Sequence, residues 1–218
     1  MERDSSMAGT VNGLKRGEKP ALVISECQRA MVDTSFTDRD LAQIVAKRGM
    51  LPKIAALANV FRQAGLPVIH ATLVPPADPA DFPVSCVLLA NVRKRGELRK
   101  GQPGADIVSE LGPEPGDIVC EREHGISGFH ATELERILRS RGVQTVVLAG
   151  VSTNIALPTM AAEAVNRLFS VVFAEDCTSG ATEESHASQL RLHLPLLGAI
   201  ASSEAVAEAV RLRGWEQR

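Results

Sequence analysis

Tyrosine is absent from this 218-residue chain, tryptophan occurs once and phenylalanine six times. That scarcity excludes the aromatic platforms on which single-stranded nucleic acid is stacked. Cysteine is also sparse. Cys27, Cys86, Cys120 and Cys177 lie far apart, with no CxxC spacing, which argues against a zinc ribbon or disulfide framework and for separate buried thiols in a reducing compartment. No apolar run reaches the length of a bilayer span, and Met1-Glu-Arg-Asp-Ser-Ser carries no hydrophobic signal region. Neither a GxGxxG nor a Walker A pattern is present, so no nucleotide cofactor is expected. A net charge of −2 with 23% charged and 44% hydrophobic residues belongs to neither a disordered chain nor a nucleic-acid binder. These absences predict a cytoplasmic protein with a small-molecule partner and no nucleic-acid or membrane partner.

What is present is an alternation of strand and helix signals. Residues 1–18 are polar and read as a flexible N-terminal tail, and 19–218 read as a single domain. Strands are predicted at Pro20-Ala-Leu-Val-Ile-Ser25, Val68 to Val74, Gly116 to Glu121, Thr145 to Ala149, Ser170 to Ala174 and Gly198 to Ala201. Helical periodicity covers 40–64, broken near Pro52, then 131–140, 154–168, 183–194 and 203–211. The proline- and glycine-rich stretch 75–104 reads as a long loop, a lid or an oligomer contact, with Arg93-Lys-Arg95 as a solvated face. The alternation predicts an α/β fold: six mostly parallel strands with helices on both faces, a Rossmann-like three-layer sandwich with its site at the carboxyl ends of the strands.

One stretch organises the rest. Thr145-Val-Val-Leu-Ala-Gly150 is a buried strand, and Val151-Ser-Thr-Asn-Ile155 turns it into a helix. A sharp strand-to-helix turn collects free backbone N–H groups and the positive end of a helix dipole, which suits an anion or an oxyanion.

With Ala21-Leu-Val-Ile-Ser-Glu-Cys-Gln28, Pro103-Gly-Ala-Asp-Ile-Val108, Ser127-Gly-Phe-His-Ala-Thr-Glu-Leu134, Gly150-Val-Ser-Thr-Asn154, Asp176 and His186, the chain resembles the isochorismatase-like, or cysteine hydrolase, family over residues 20 to 210. The resemblance implies a triad of Asp, Lys and Cys, a cis peptide at Val151–Ser152, and a homodimer or homotetramer to which 75–104 contributes. In this register the Asp position is Glu26, the Lys position is Glu123 and the nucleophile position is Ala156. A methyl group cannot attack a carbonyl, so cysteine chemistry is lost here. A one-residue slip would exchange Glu123 for Arg122; the spacing to Ser127, Phe129, Thr132 and Leu134 favours Glu123.

Glu26 and Glu123 together would form a coupled carboxylate dyad without a cation. Such a dyad predicts carboxylate-assisted hydrolysis of a small neutral or cationic C–N or ether-type substrate, or a divalent cation on oxygen ligands, although nothing else in the sequence supports a metal. The other reading is a catalytically inactive member that binds a small molecule or serves an assembly. His70, His124 and Phe129 are further pocket candidates. His70 and Phe129 are read first as packed residues, His130 and His193 as surface, and Asp176 as a loop tie.

Overall fold

The computed structural model describes residues 11–14 and 18–212. Six strands, β1 (Pro20–Ser25), β2 (Val68–Leu73), β3 (Ile118–Arg122), β4 (Thr145–Val151), β5 (Ser170–Ser179) and β6 (Ala199–Ala201), form one sheet. Their order is β3-β2-β1-β4-β5-β6 and every neighbouring pair is parallel. The helices are α1 (Arg29–Val32), α2 (Asp40–Lys47), α3 (Met50–Gln63), α4 (Val87–Arg95), α5 (Leu134–Ser140), α6 (Ala156–Asn166), α7 (Glu183–Leu192) and α8 (Ser203–Arg211). The expected α/β architecture is the observed one.

Strand composition explains strand position. β1, β2 and β4 are buried along their whole length, as central parallel strands covered on both faces must be. β3 lies at an edge and alternates: Cys120 and Arg122 are buried, while Val119 and Glu121 face outward. Side-chain alternation along the strands divides the core in two. Leu22, Ile24, Val147 and Val172 pack with α3 and α8 on one face. Ala21, Val23, Val146 and Leu148 pack with α5 and α6 on the other.

Two readings change and one is refined. Gly49, in the left-handed region, separates α2 from α3, and Pro52 sits inside the first turn of α3, where its missing N–H is harmless. The 75–104 stretch contains the helix α4, whose weakly amphipathic sequence concealed it among turn residues. Of the presumed N-terminal tail, Val11 and Leu14 are buried in the core, and the Thr145 hydroxyl donates to the carbonyl of Gly13; residues 1–10 and 15–17 lie outside the described residues.

Candidate active site

The chain runs outward from β1 to β2 and β3 on one side and from β4 to β5 and β6 on the other. The carboxyl ends of β1 and β4 therefore flank the switch point at which open α/β sheets place their ligands. Glu26 follows β1 directly. Its backbone is left-handed, with φ at 51°, and its N–H donates to the carbonyl of Ala71 at 2.9 Å. That conformation costs a non-glycine residue about 1–2 kcal/mol and turns the side chain into the crevice. Gln28, fully buried, locks the segment that follows. Its Nε2 donates to the carbonyls of Leu73 and Ala105, and its Oε1 accepts from the Leu73 N–H at 2.9 Å.

Opposite Ser25 on β4 stands Gly150, with φ at 95°. A Cβ there would run into the Ser25 carbonyl oxygen, so only glycine lets β1 and β4 approach. The Val151–Ser152 peptide is cis. Thr153 is fully buried. Its N–H donates to Ser179 O at 2.9 Å, and its Oγ1 meets His186 Nδ1 at 3.0 Å. Asn154 Oδ1 accepts from the Ala181 N–H at 3.0 Å. The Ser152 carbonyl accepts from the N–H groups of Ile155 and Leu157. Ser152, Asn154, Ile155 and Ala156 reach the cavity. Val151 and Thr153 are buried behind them.

The residue that meets Glu26 is Arg122, not Glu123. An Arg122 Nη2 hydrogen donates to Glu26 Oε1, and Nε donates to the carbonyl of Gly125 at 3.3 Å. The Arg122 side chain is 3% exposed and that of Glu26 10%. Glu123 is exposed and lines no part of the cavity. The expected carboxylate dyad is therefore not formed, nor is the oxygen-ligand pair it offered to a cation. Strand parity is the cause: Cys120 and Arg122 share the inward face of β3, and the next outward position is Glu123. Among the described residues no group of three or more His, Cys, Asp and Glu side chains gathers as a metal site.

Above the pair lies a cavity of about 490 Å³. Its floor is Glu26, Arg122, Ser152, Asn154 and Ala156, and one wall is α4, through Leu88, Leu89 and Val92. Arg122 Nη1 is buried and has no hydrogen-bond partner in the protein. An unmatched buried guanidinium N–H is costly unless a ligand or water accepts from it.

Among the described residues no cysteine lines this cavity. Cys27, Cys120 and Cys177 are buried and line none of this cavity. Burial pushes the Cys27 thiol far up, helped by Cys177 and Glu26, and pushes the Cys177 thiol up to about 12. Cys86 is exposed.

The other candidates fall elsewhere. His70 lies within β2 and meets Asp117 Oδ2 at 3.0 Å, away from the cavity. Arg62 also pairs with Asp117, and the hydrogen bonds from Arg62, His70 and the Glu114 N–H outweigh burial to hold that carboxyl below its usual range. Burial pulls His70 below the ordinary histidine value. His124 stacks edge-on with His130 beside a neighbouring hollow and does not line the main cavity. Phe129 is 5% exposed, stacks on Phe169 and carries Arg167 over its ring, which makes it core. Asp176 accepts from the Ser203 N–H and Oγ, tying down the start of α8. No helix among the described residues is long and apolar enough to cross a membrane.

The isochorismatase domain family matches residues 20–205. The chain is 30% identical over 194 residues to the isochorismatase family protein YecD of Escherichia coli O157:H7, covering 87% of this chain and 95% of that one. It is 27% identical over 179 residues to the ureidoacrylate amidohydrolase RutB of Agrobacterium fabrum, covering 76% and 77%. The fold superposes on a cysteine hydrolase from Pseudomonas syringae pv. phaseolicola with a TM-score of 0.78 at 20% identity, over 89% of this chain and 93% of that one.

Proposed function

The chain belongs to the isochorismatase family, and on that premise we propose that it hydrolyses a small neutral C–N substrate, an amide or ureide, by direct attack of water. The observation that carries this reading is Arg122 Nη1, buried without a partner beside Glu26 at a cavity whose nucleophile position is Ala156. The amidohydrolase activity named for a relative fits the same bond type.

In this mechanism the substrate carbonyl oxygen accepts from Arg122 Nη1. A water molecule gives its proton to Glu26 as its oxygen bonds to the carbonyl carbon. The negative charge that builds on the carbonyl oxygen falls against the guanidinium, whose side chain is itself 3% exposed. Glu26 then returns the proton to the leaving nitrogen as the C–N bond breaks, releasing an acid and an amine. No bond to the protein is made. With Arg122 rather than Glu123 facing Glu26, the pair does not present two carboxylates to a cationic substrate.

Hydrolysis of a panel of neutral amides and ureides in ¹⁸O-labelled water tests the proposal. Turnover is expected to put label in the acid product, to leave the protein mass unshifted at steady state, and to fall by about 10²–10⁴ in Glu26→Gln. Turnover indifferent to that substitution, or a covalent acyl adduct, overturns it. The second reading, ligand binding without turnover, is favoured by the Ala156 methyl; tight binding with no product anywhere on the panel would establish it.

A further inference from the structure

We infer that the compound this cavity takes is an aliphatic one, a straight-chain primary amide or monoalkyl urea whose carbonyl sits on Arg122 Nη1 and whose chain lies against α4. The inference rests on the functional reading above and names the substrate class for the same site.

Charge comes first. Glu26, Asp38 and Asp40 line the cavity together with Arg39, Arg95 and Arg122, three charges of each sign. Arg39 is further engaged by Glu97 at 2.6 Å, with Arg95 4.0 Å from the same carboxylate. Arg122 already serves Glu26 through Nη2, so a ligand carboxylate on Nη1 would stand beside a second carboxylate with no surplus cation to offset it. An ammonium group would face the guanidinium. A neutral carbonyl meets neither penalty and still satisfies the buried N–H.

Shape and surface come second. The cavity, about 490 Å³, is much larger than an amide group needs. Beyond its polar floor it is walled by Leu41, Leu73, Leu88, Leu89, Val92 and Leu98. No aromatic side chain among the described residues lines it, so a flat ring would find no stacking partner. Leu88 on α4 is 39% exposed, so apolar surface is left for a chain to cover. Branched aliphatic walls above one hydrogen-bond donor select an alkyl chain with a carbonyl at one end.

Calorimetric titration of the wild-type protein with acetamide, butanamide, hexanamide and octanamide tests the inference, with hexanoate and hexylammonium as charged controls. Kd is expected to fall about three- to fourfold per added methylene until the wall is covered. Both charged controls are expected to bind at least about tenfold more weakly than hexanamide. Leu88→Asp and Val92→Asp, each checked for folding by circular dichroism, are expected to flatten the dependence on chain length. A Kd independent of length, or hexanoate binding more tightly than hexanamide, overturns the inference. The two proposals separate cleanly. Length-dependent binding without turnover keeps the ligand class and removes hydrolysis, whereas turnover of small polar ureides with no gain from chain length does the reverse.

Discussion

Arg122, the last residue of β3, donates from Nη2 to the carboxylate of Glu26, the residue that follows β1, across the intervening end of β2. The ion pair joins an edge strand to a central one at the floor of the cavity. It leaves Arg122 Nη1 buried and without a hydrogen-bond partner in the protein.

Breaking that pair from one side leaves a buried charge without its partner, which costs about 3–5 kcal/mol in comparable sites. Arg122→Met is therefore expected to lower unfolding free energy by about that much in urea titrations. The double substitution Glu26→Gln with Arg122→Met is expected to cost clearly less than the sum of the two single changes. Additive losses would mean that the two side chains do not act as a pair.

Ala156→Cys puts a thiol at the first position of α6, at the floor of the cavity shared with Arg122 and Glu26. The helix N-terminus and the guanidinium both favour thiolate, so this thiol is expected to titrate below the usual value of about 8.5. In a Cys86→Ser background it is expected to take iodoacetamide rapidly at neutral pH, while Cys27, Cys120 and Cys177 stay unmodified because burial raises all three. An introduced thiol as slow as the native buried ones would show that the turn does not activate a nucleophile.

His186 carries a pH dependence with a definite sign. Burial, and then the charge of Arg48, pull it down to about 4 in the fold, against an ordinary value of about 6.5 in the unfolded chain. Between these values the unfolded state binds more protons, so stability rises with pH, and it is lost as pH falls from about 6.5 toward about 4. His70 is lowered by burial in the same direction. Thermal unfolding of His186→Gln is expected to show a shallower dependence over that window; an unchanged slope would assign the effect to other groups. Because His186 meets Thr153 behind the turn, the same substitution reports on what holds the turn in place.

Periodicity and composition sufficed for the six parallel strands, the flanking helices, the break near Pro52 and the organising turn at 150–156, because a strand buried on both faces must be apolar throughout and a helix on its surface must repeat at its own period. Ala156 itself offers no nucleophilic atom, since no packing gives a methyl group a lone pair. What periodicity and composition left open was which of two adjacent side chains enters the crevice. The spacing to Ser127 favoured Glu123, whereas the pleat of β3 turns Cys120 and Arg122 inward and leaves Glu123 exposed. The outward Val119 and Glu121 carried that signal, but an edge strand with apolar residues on both faces, Ile118 and Cys120 inward and Val119 outward, reads weakly in either register. Gln28, visible only as part of a motif, acquires its role as a brace from three hydrogen bonds to segments distant in sequence. The apolar wall above the pair depended on α4, hidden in a stretch that reads as loop. Local sequence determined the elements; the charge and the shape of the pocket were decided only when β3, the end of β1 and α4 met in three dimensions, because each contributes a few side chains that mean little until they face one another.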